Sequence, residues 1–195
     1  MQQEQSQQNA LVRLADFILK KKSEIIEQWI SAVHAEKVIV SSENLTHQQL
    51  VDHMPEIFET LAGLLRQGPD HFSLQDARTH GHRRWKQGYK IDEILHEFGL
   101  FRIVLLENAT EFIRQNPDFT RPIENEARRR IHKFLNDASI ASVQQYEEEQ
   151  QLELKHYHDL NTFLASIVES SNDAIIGKDL DGIITSWNNW TLDKI

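Results

Sequence analysis

An all-α fold is predicted by three features of this 195-residue chain. Gly and Pro, at 7 and 4 residues, are too few for the many turns of a β-sandwich or a small barrel. Apolar residues recur at helical spacing along most of the length. From Pro122 to about Glu169 neither Gly nor Pro interrupts the chain, and one helix there would run roughly 70 Å. The expected architecture is a helical bundle with a long C-terminal signalling or coiled-coil helix, ending in a short β-hairpin.

The first helix is expected from Asn9 to about Lys22, with Leu11, Leu14, Phe17 and Ile18 on one face. Ser23 is a suitable N-cap for a second helix, Glu24 to about Lys37, whose stripe is Ile25, Ile26, Trp29, Ile30 and Val33. Val38 to Asn44 reads as a connection. Thr46 and Gln49 fit the capping-box pattern that opens a third helix. That helix carries Leu50, Met54, Ile57, Phe58, Leu61, Leu64 and Leu65, and Pro55 inside it predicts a kink. Gly68-Pro69-Asp70 ends it. A fourth helix opens at Ser73 and runs to about Gln87, Gly88-Tyr89 breaks it, and a fifth runs from Ile91 to Gln115. Thr120 caps the last and longest helix, with Pro122 tolerated in its first turn.

This last helix carries two stripes. Ile131, Phe134, Ala138 and Ala141 form the first, which is expected to pack on the helical domain. Val143, Tyr146, Gln150, Glu153, Tyr157, Leu160, Leu164 and Ile167 then follow the spacing of a coiled-coil seam. Val143, Tyr146, Tyr157, Leu160, Leu164 and Ile167 are its candidate homodimer contacts. A single solvated helix with a ragged apolar face is the plainer alternative. Asp173 to Lys178 and Ile183 to Trp187 read as strands joined by an Asp-Gly turn. A lone hairpin is marginal in water, so this one reads as the beginning of a larger domain.

Composition narrows the function. Without Cys there is no disulfide, thiol nucleophile or thiolate metal site. Lys and Arg total 21 against 30 Asp and Glu, a net charge of −9 that disfavours nucleic acid as a partner. The start, MQQEQSQQNA, lacks the plan of a signal peptide. No run approaches a membrane span, so a cytoplasmic location is expected. No phosphate-binding glycine loop, nucleophile elbow or zinc-binding His-Glu-x-x-His string occurs. No catalytic residue, metal or cofactor is expected.

His80, Arg84 and Gly88 are spaced four apart, on one helical face. Tyr89 follows the break, and Glu97 and Arg102 lie on the next helix. These six residues are the candidate polar network. Buried charges require partners, so an ion-pair network that only supports the fold is one reading, and a signal-receiving site or switch is the other. A His on an apolar helical stripe leaves a haem or small-molecule sensor as a third.

Four stretches resemble known families. LASIVESSNDAIIGKDLDGIITSWN, from Leu164 to Asn188, resembles the start of a PAS sensor domain: its first helix, two strands and the Asp-Gly turn between them. The residues after Asn188 depart from that pattern, and the resemblance implies an incomplete PAS domain with no ligand cavity. LADFILKKKSEIIEQWISAV and HGHRRWKQGYKIDEILHEFGLFRIVLLE resemble the N-terminal helical domain of RsbR/RsbT co-antagonist-type regulators, the RsbRD type. That domain also precedes PAS modules in bacterial sensor histidine kinases. Residues 158–164 resemble the kinase phospho-acceptor box, but Phe163 replaces its helix-bending Pro.

The resemblances imply three segments: an RsbRD-like sensory or docking domain over 1–136, a signalling helix over 137–168, and a truncated PAS start over 169–195. The implied function is signal input and relay in a PAS-containing sensor histidine kinase of a two-component system, non-catalytic in itself. A downstream kinase module or another protein would be its partner. The alternative is a stand-alone co-antagonist-like regulator that docks a partner in a stress-response partner-switching pathway.

Overall fold

The computed structural model describes residues 2–51, 54–68 and 73–189. It divides into two compact units, Met1–Glu149 and Gln150–Ile195. The helices are α1 (Gln2–Lys20), α2 (Lys22–Ala35), α3 (His47–Val51), α4 (Met54–Gln67), α5 (Gln75–Lys86), α6 (Ile91–Gln115) and α7 (Arg121–Glu169), with a short 3-10 helix at Val40–Asn44. Strands β1 (Ile176–Lys178) and β2 (Ile184–Trp187) follow. The all-α bundle, the long final helix and the terminal hairpin are therefore present.

In the first unit, α1 packs on α4 and α6, and α2 packs on α6. Leu11, Leu14 and Ile18 of α1, with Phe58, Leu61 and Leu65 of α4, are completely buried. Phe101 of α6 sits at the centre, meeting Trp29 and Phe58 edge-on at ring-centroid distances of 6.3 and 5.5 Å. Each such side chain contributes about 1.5–3 kcal/mol through burial. The face of α7 with Ile123, Ala127, Ile131, Phe134, Ala138 and Ala141 completes this core. Among the described residues, no helix is long and apolar enough to cross a membrane.

One local expectation is corrected. Ser23 does not cap α2: Lys21 precedes the helix, and no side chain caps it. The Lys21 amide donates to the Phe17 carbonyl, and the Ile25 amide donates to the Lys21 carbonyl. Pro55, expected to kink the third helix, is the second residue of α4 as described, and residues 52–53 just before α4 lie outside the described residues. The expected connection after α2 contains a short 3-10 turn, Val40–Asn44. The Thr46 capping box forms as expected, with the Thr46 amide 2.8 Å from Gln49 Oε1 and the Gln49 amide 3.3 Å from Thr46 Oγ1. Pro69 and Asp70, expected to help end the third helix, lie outside the described residues.

The end of α5 explains its geometry. Gly88 has φ +77°, a conformation that costs other residues strain. Its amide donates to Trp85, and the Tyr89 amide donates to Arg84. This is a Schellman motif, and it turns the chain so that the Tyr89 ring lies 4.9 Å from the Arg84 guanidinium. Gly88→Ala is expected to cost about 1 kcal/mol, read as a lowered urea midpoint. An unchanged midpoint would count against this reading of the turn.

In the second unit, residues 150–169 of α7 are exposed throughout. The strands pair antiparallel, with Ile176 opposite Trp187 and a register shift at Gly177/Lys178. Asp179 Oδ1 accepts from the amides of Asp181 and Ile183, and Gly182 takes φ +82°. Asn188, fully buried, joins helix to hairpin: its Nδ2 donates to the carbonyls of Val168 and Asp173, and its Oδ1 accepts from the Ile175 amide.

Candidate functional site

The buried face of α5 differs from that of every neighbouring helix. It consists of Ala77, His80, Gly81 and Arg84, with no large apolar side chain. The helix is held by polar contacts and by close backbone approach. Burying polar groups in this way is unfavourable unless each finds a partner.

Glu97 of α6 is the common partner, and only 1 % of it is exposed. Arg84 Nε donates to Glu97 Oε2 at 2.8 Å, and His80 Nε2 lies 3.3 Å from the same oxygen. The Tyr89 hydroxyl donates to Glu97 Oε1 at 3.3 Å. Trp29 Nε1 of α2 donates to the Glu97 backbone carbonyl at 3.3 Å. The remaining Arg84 donors reach Gln87 Oε1 at 2.7 Å and the carbonyls of Gln49 and Leu50 at 3.3 and 3.1 Å. Those two carbonyls belong to α3.

The network continues to α7. His80 Nδ1 lies 2.9 Å from Ser142 Oγ, and its ring meets Phe98 edge-on at 5.0 Å. The Tyr146 hydroxyl donates to the Tyr89 carbonyl at 2.8 Å. Gly81 stands where any Cβ would overlap the Ser142 carbonyl oxygen, so only glycine permits this approach of α5 to α7.

The electrostatics follow from the geometry. Burial by itself raises the Glu97 carboxyl, but the Arg84 charge and the hydrogen bond and charge of His80 outweigh it and lower the group to about 2. Burial, with the Glu97 charge next, pushes the Tyr89 phenol far above its ordinary value, so it remains a donor. Beside His80 and Glu97, among Trp29, Met54, Ile57, Phe98 and Phe101, lies a void of about 10 Å³. That is room for about one water, and an organic cofactor would require the helices to part. Among the described residues no three His, Asp or Glu side chains gather to hold a metal.

The structure brings His80, Arg84, Tyr89 and Glu97 together. Gly88 lies beyond the end of α5 rather than on its face, and acts through the turn that positions Tyr89. Arg102 does not join them: its Nε is buried with no hydrogen-bond partner among the described residues. Trp29, Gly81, Ser142 and the α3 carbonyls are members that sequence reasoning missed. Of the six seam residues, Val143 and Tyr146 are half-buried against the core of the first unit. Tyr157, Leu160, Leu164 and Ile167 are between 42 % and 56 % exposed.

A helical domain whose buried polar face converges on one carboxylate can be compared with known families. The family described as the RsbT co-antagonist protein rsbRD N-terminal domain matches residues 23–159. The chain belongs to this family. The match takes in α2 to α6, the whole Glu97 network and α7 as far as Asp159. The family is one of regulatory co-antagonist domains. No curated protein and no solved structure matches the chain.

Proposed function

We propose that the chain is the sensory and relay region of a bacterial PAS-containing sensor histidine kinase, non-catalytic in itself. Residues 1–136 receive a signal or a protein, 137–168 carry it as a helix, and 169–195 begin the PAS domain that reads it. The helix pairs with that of a second copy, and the downstream kinase module is the output. The Glu97 network is the part of the receiving domain whose packing changes. The observation that carries this reading is α7. It leaves the core as one uninterrupted helix, exposes Tyr157, Leu160, Leu164 and Ile167, and is stapled by Asn188 to a hairpin with exposed Ile176, Ile184 and Trp187.

Light scattering tests the pairing. The wild-type chain is expected to be a dimer and Leu160→Asp a monomer. A monomeric wild type sinks the relay reading. A second reading is favoured by the family match: a stand-alone co-antagonist-like regulator that docks a partner-switching protein in a stress response. Specific co-purification of a switch kinase or STAS-type protein with a monomeric chain would select it.

A further inference from the structure

α5 grips α7 through two kinds of contact. One is fixed: Gly81 against the Ser142 backbone, with His80 bonded to Ser142 Oγ. The other lies farther along α7 and is polar and half-exposed. Arg78 Nη1 reaches Gln145 Oε1 at 3.2 Å and Glu148 at 3.4 Å. His82 Nδ1 meets Glu149 Oε1 at 2.7 Å, and Gln145 Nε2 donates to that same oxygen at 3.0 Å. Glu149 is the last residue of the first unit, and residues 150–169 are exposed throughout. The last turn of α7 that belongs to this unit is thus held on one side by Tyr146, half-buried against the core, and on the other by these polar contacts from α5.

We propose that the His82–Glu149 pair is a proton-operated latch on residues 145–149 of α7, closed while His82 is charged and loosened when it is neutral. The Gly81 seat stays shut in both states. The other charged groups around the pair are Arg78 and Lys86 on α5, Glu148 on α7, and Asp92 and Glu93 of α6 beside Tyr146. Glu149 is held below the ordinary carboxylate range, first by the His82 hydrogen bond. It therefore stays ionised near neutrality. Histidine is the side chain whose charge changes between about pH 5 and 8. A charged donor makes a bond about twice as strong as a neutral one. The latch strength is therefore complete at low pH and declines as pH rises. Its use as an input to the relay rests on the reading of α7 above, but the latch itself does not.

Hydrogen exchange on the full chain at pH 6 and pH 8, corrected for intrinsic rates, tests it. Protection of amides 145–149 is expected to fall about three- to five-fold at the higher pH, the scale of a half-exposed pair. Protection over 127–141 should hold steady. His82→Gln should remove the pH dependence at 145–149. A pH-independent wild type, a dependence that persists in His82→Gln, or equal loss along all of α7 would overturn the proposal. A monomeric wild type in light scattering would end the relay reading and leave this result standing.

Discussion

Arg84→Met is expected to destabilise the chain by about 3–5 kcal/mol, because Glu97 would keep its charge in a buried place with its main partner gone. Glu97→Leu should cost a similar amount by orphaning the guanidinium. The double replacement should be milder than the sum of the two, since no buried charge is then left alone. Urea unfolding of the three variants decides this, and additive losses would contradict the account. The same network sets an acid limit. The Glu97 carboxyl moves from an ordinary value of 4.5 down to about 2. A depressed carboxyl stabilises the fold fully above its unfolded value, and that contribution is lost as pH falls through the folded value. Stability should therefore drop between about pH 5 and 2, and the drop should be shallower in Glu97→Leu.

Gly81→Ala carries the second large effect. The added methyl group would overlap a backbone carbonyl of α7, which no rotamer change relieves. Overpacking of this kind costs about 1–3 kcal/mol, and the His80–Ser142 bond across the same contact would lengthen with it. Gly63→Ala in α4 is the control. Nothing lies within 4 Å of its Cβ position, and helix propensity predicts a gain of up to about 1 kcal/mol. Opposite signs for two helical Gly→Ala changes, read by thermal or urea unfolding, would support the close approach. A stabilised Gly81→Ala would refute it.

What was legible in the chain divides along physical lines. Apolar stripes are direct statements about burial, so α1, α2, α4, α6 and the first part of α7 could be placed from Leu, Ile and Phe spacing. The grouping of His80, Arg84, Tyr89 and Glu97 was legible because charged residues at helical spacing beside apolar ones must find partners. Arg102 lies on the same helix as Glu97 but five residues on, and so on another face. Gly81 was not legible: glycine inside a helix reads as a local weakness, and only the position of Ser142, sixty-one residues later, turns it into a requirement. Asn188 was legible as the end of a strand, but not as the side chain that ties the hairpin to the end of α7.

The unbroken course of α7 also makes residue number equivalent to angle. Each residue in an α-helix advances the chain by about 1.5 Å and turns it by about 100°. One residue inserted between Tyr157 and Leu160 would swing Leu160, Leu164 and Ile167, and the Asn188-anchored hairpin with them, by more than a quarter turn away from Tyr157. Seven inserted residues would restore the facing within about 20°. Relatives that preserve the use of this helix should therefore differ in its length by whole heptads, even where its individual residues vary freely.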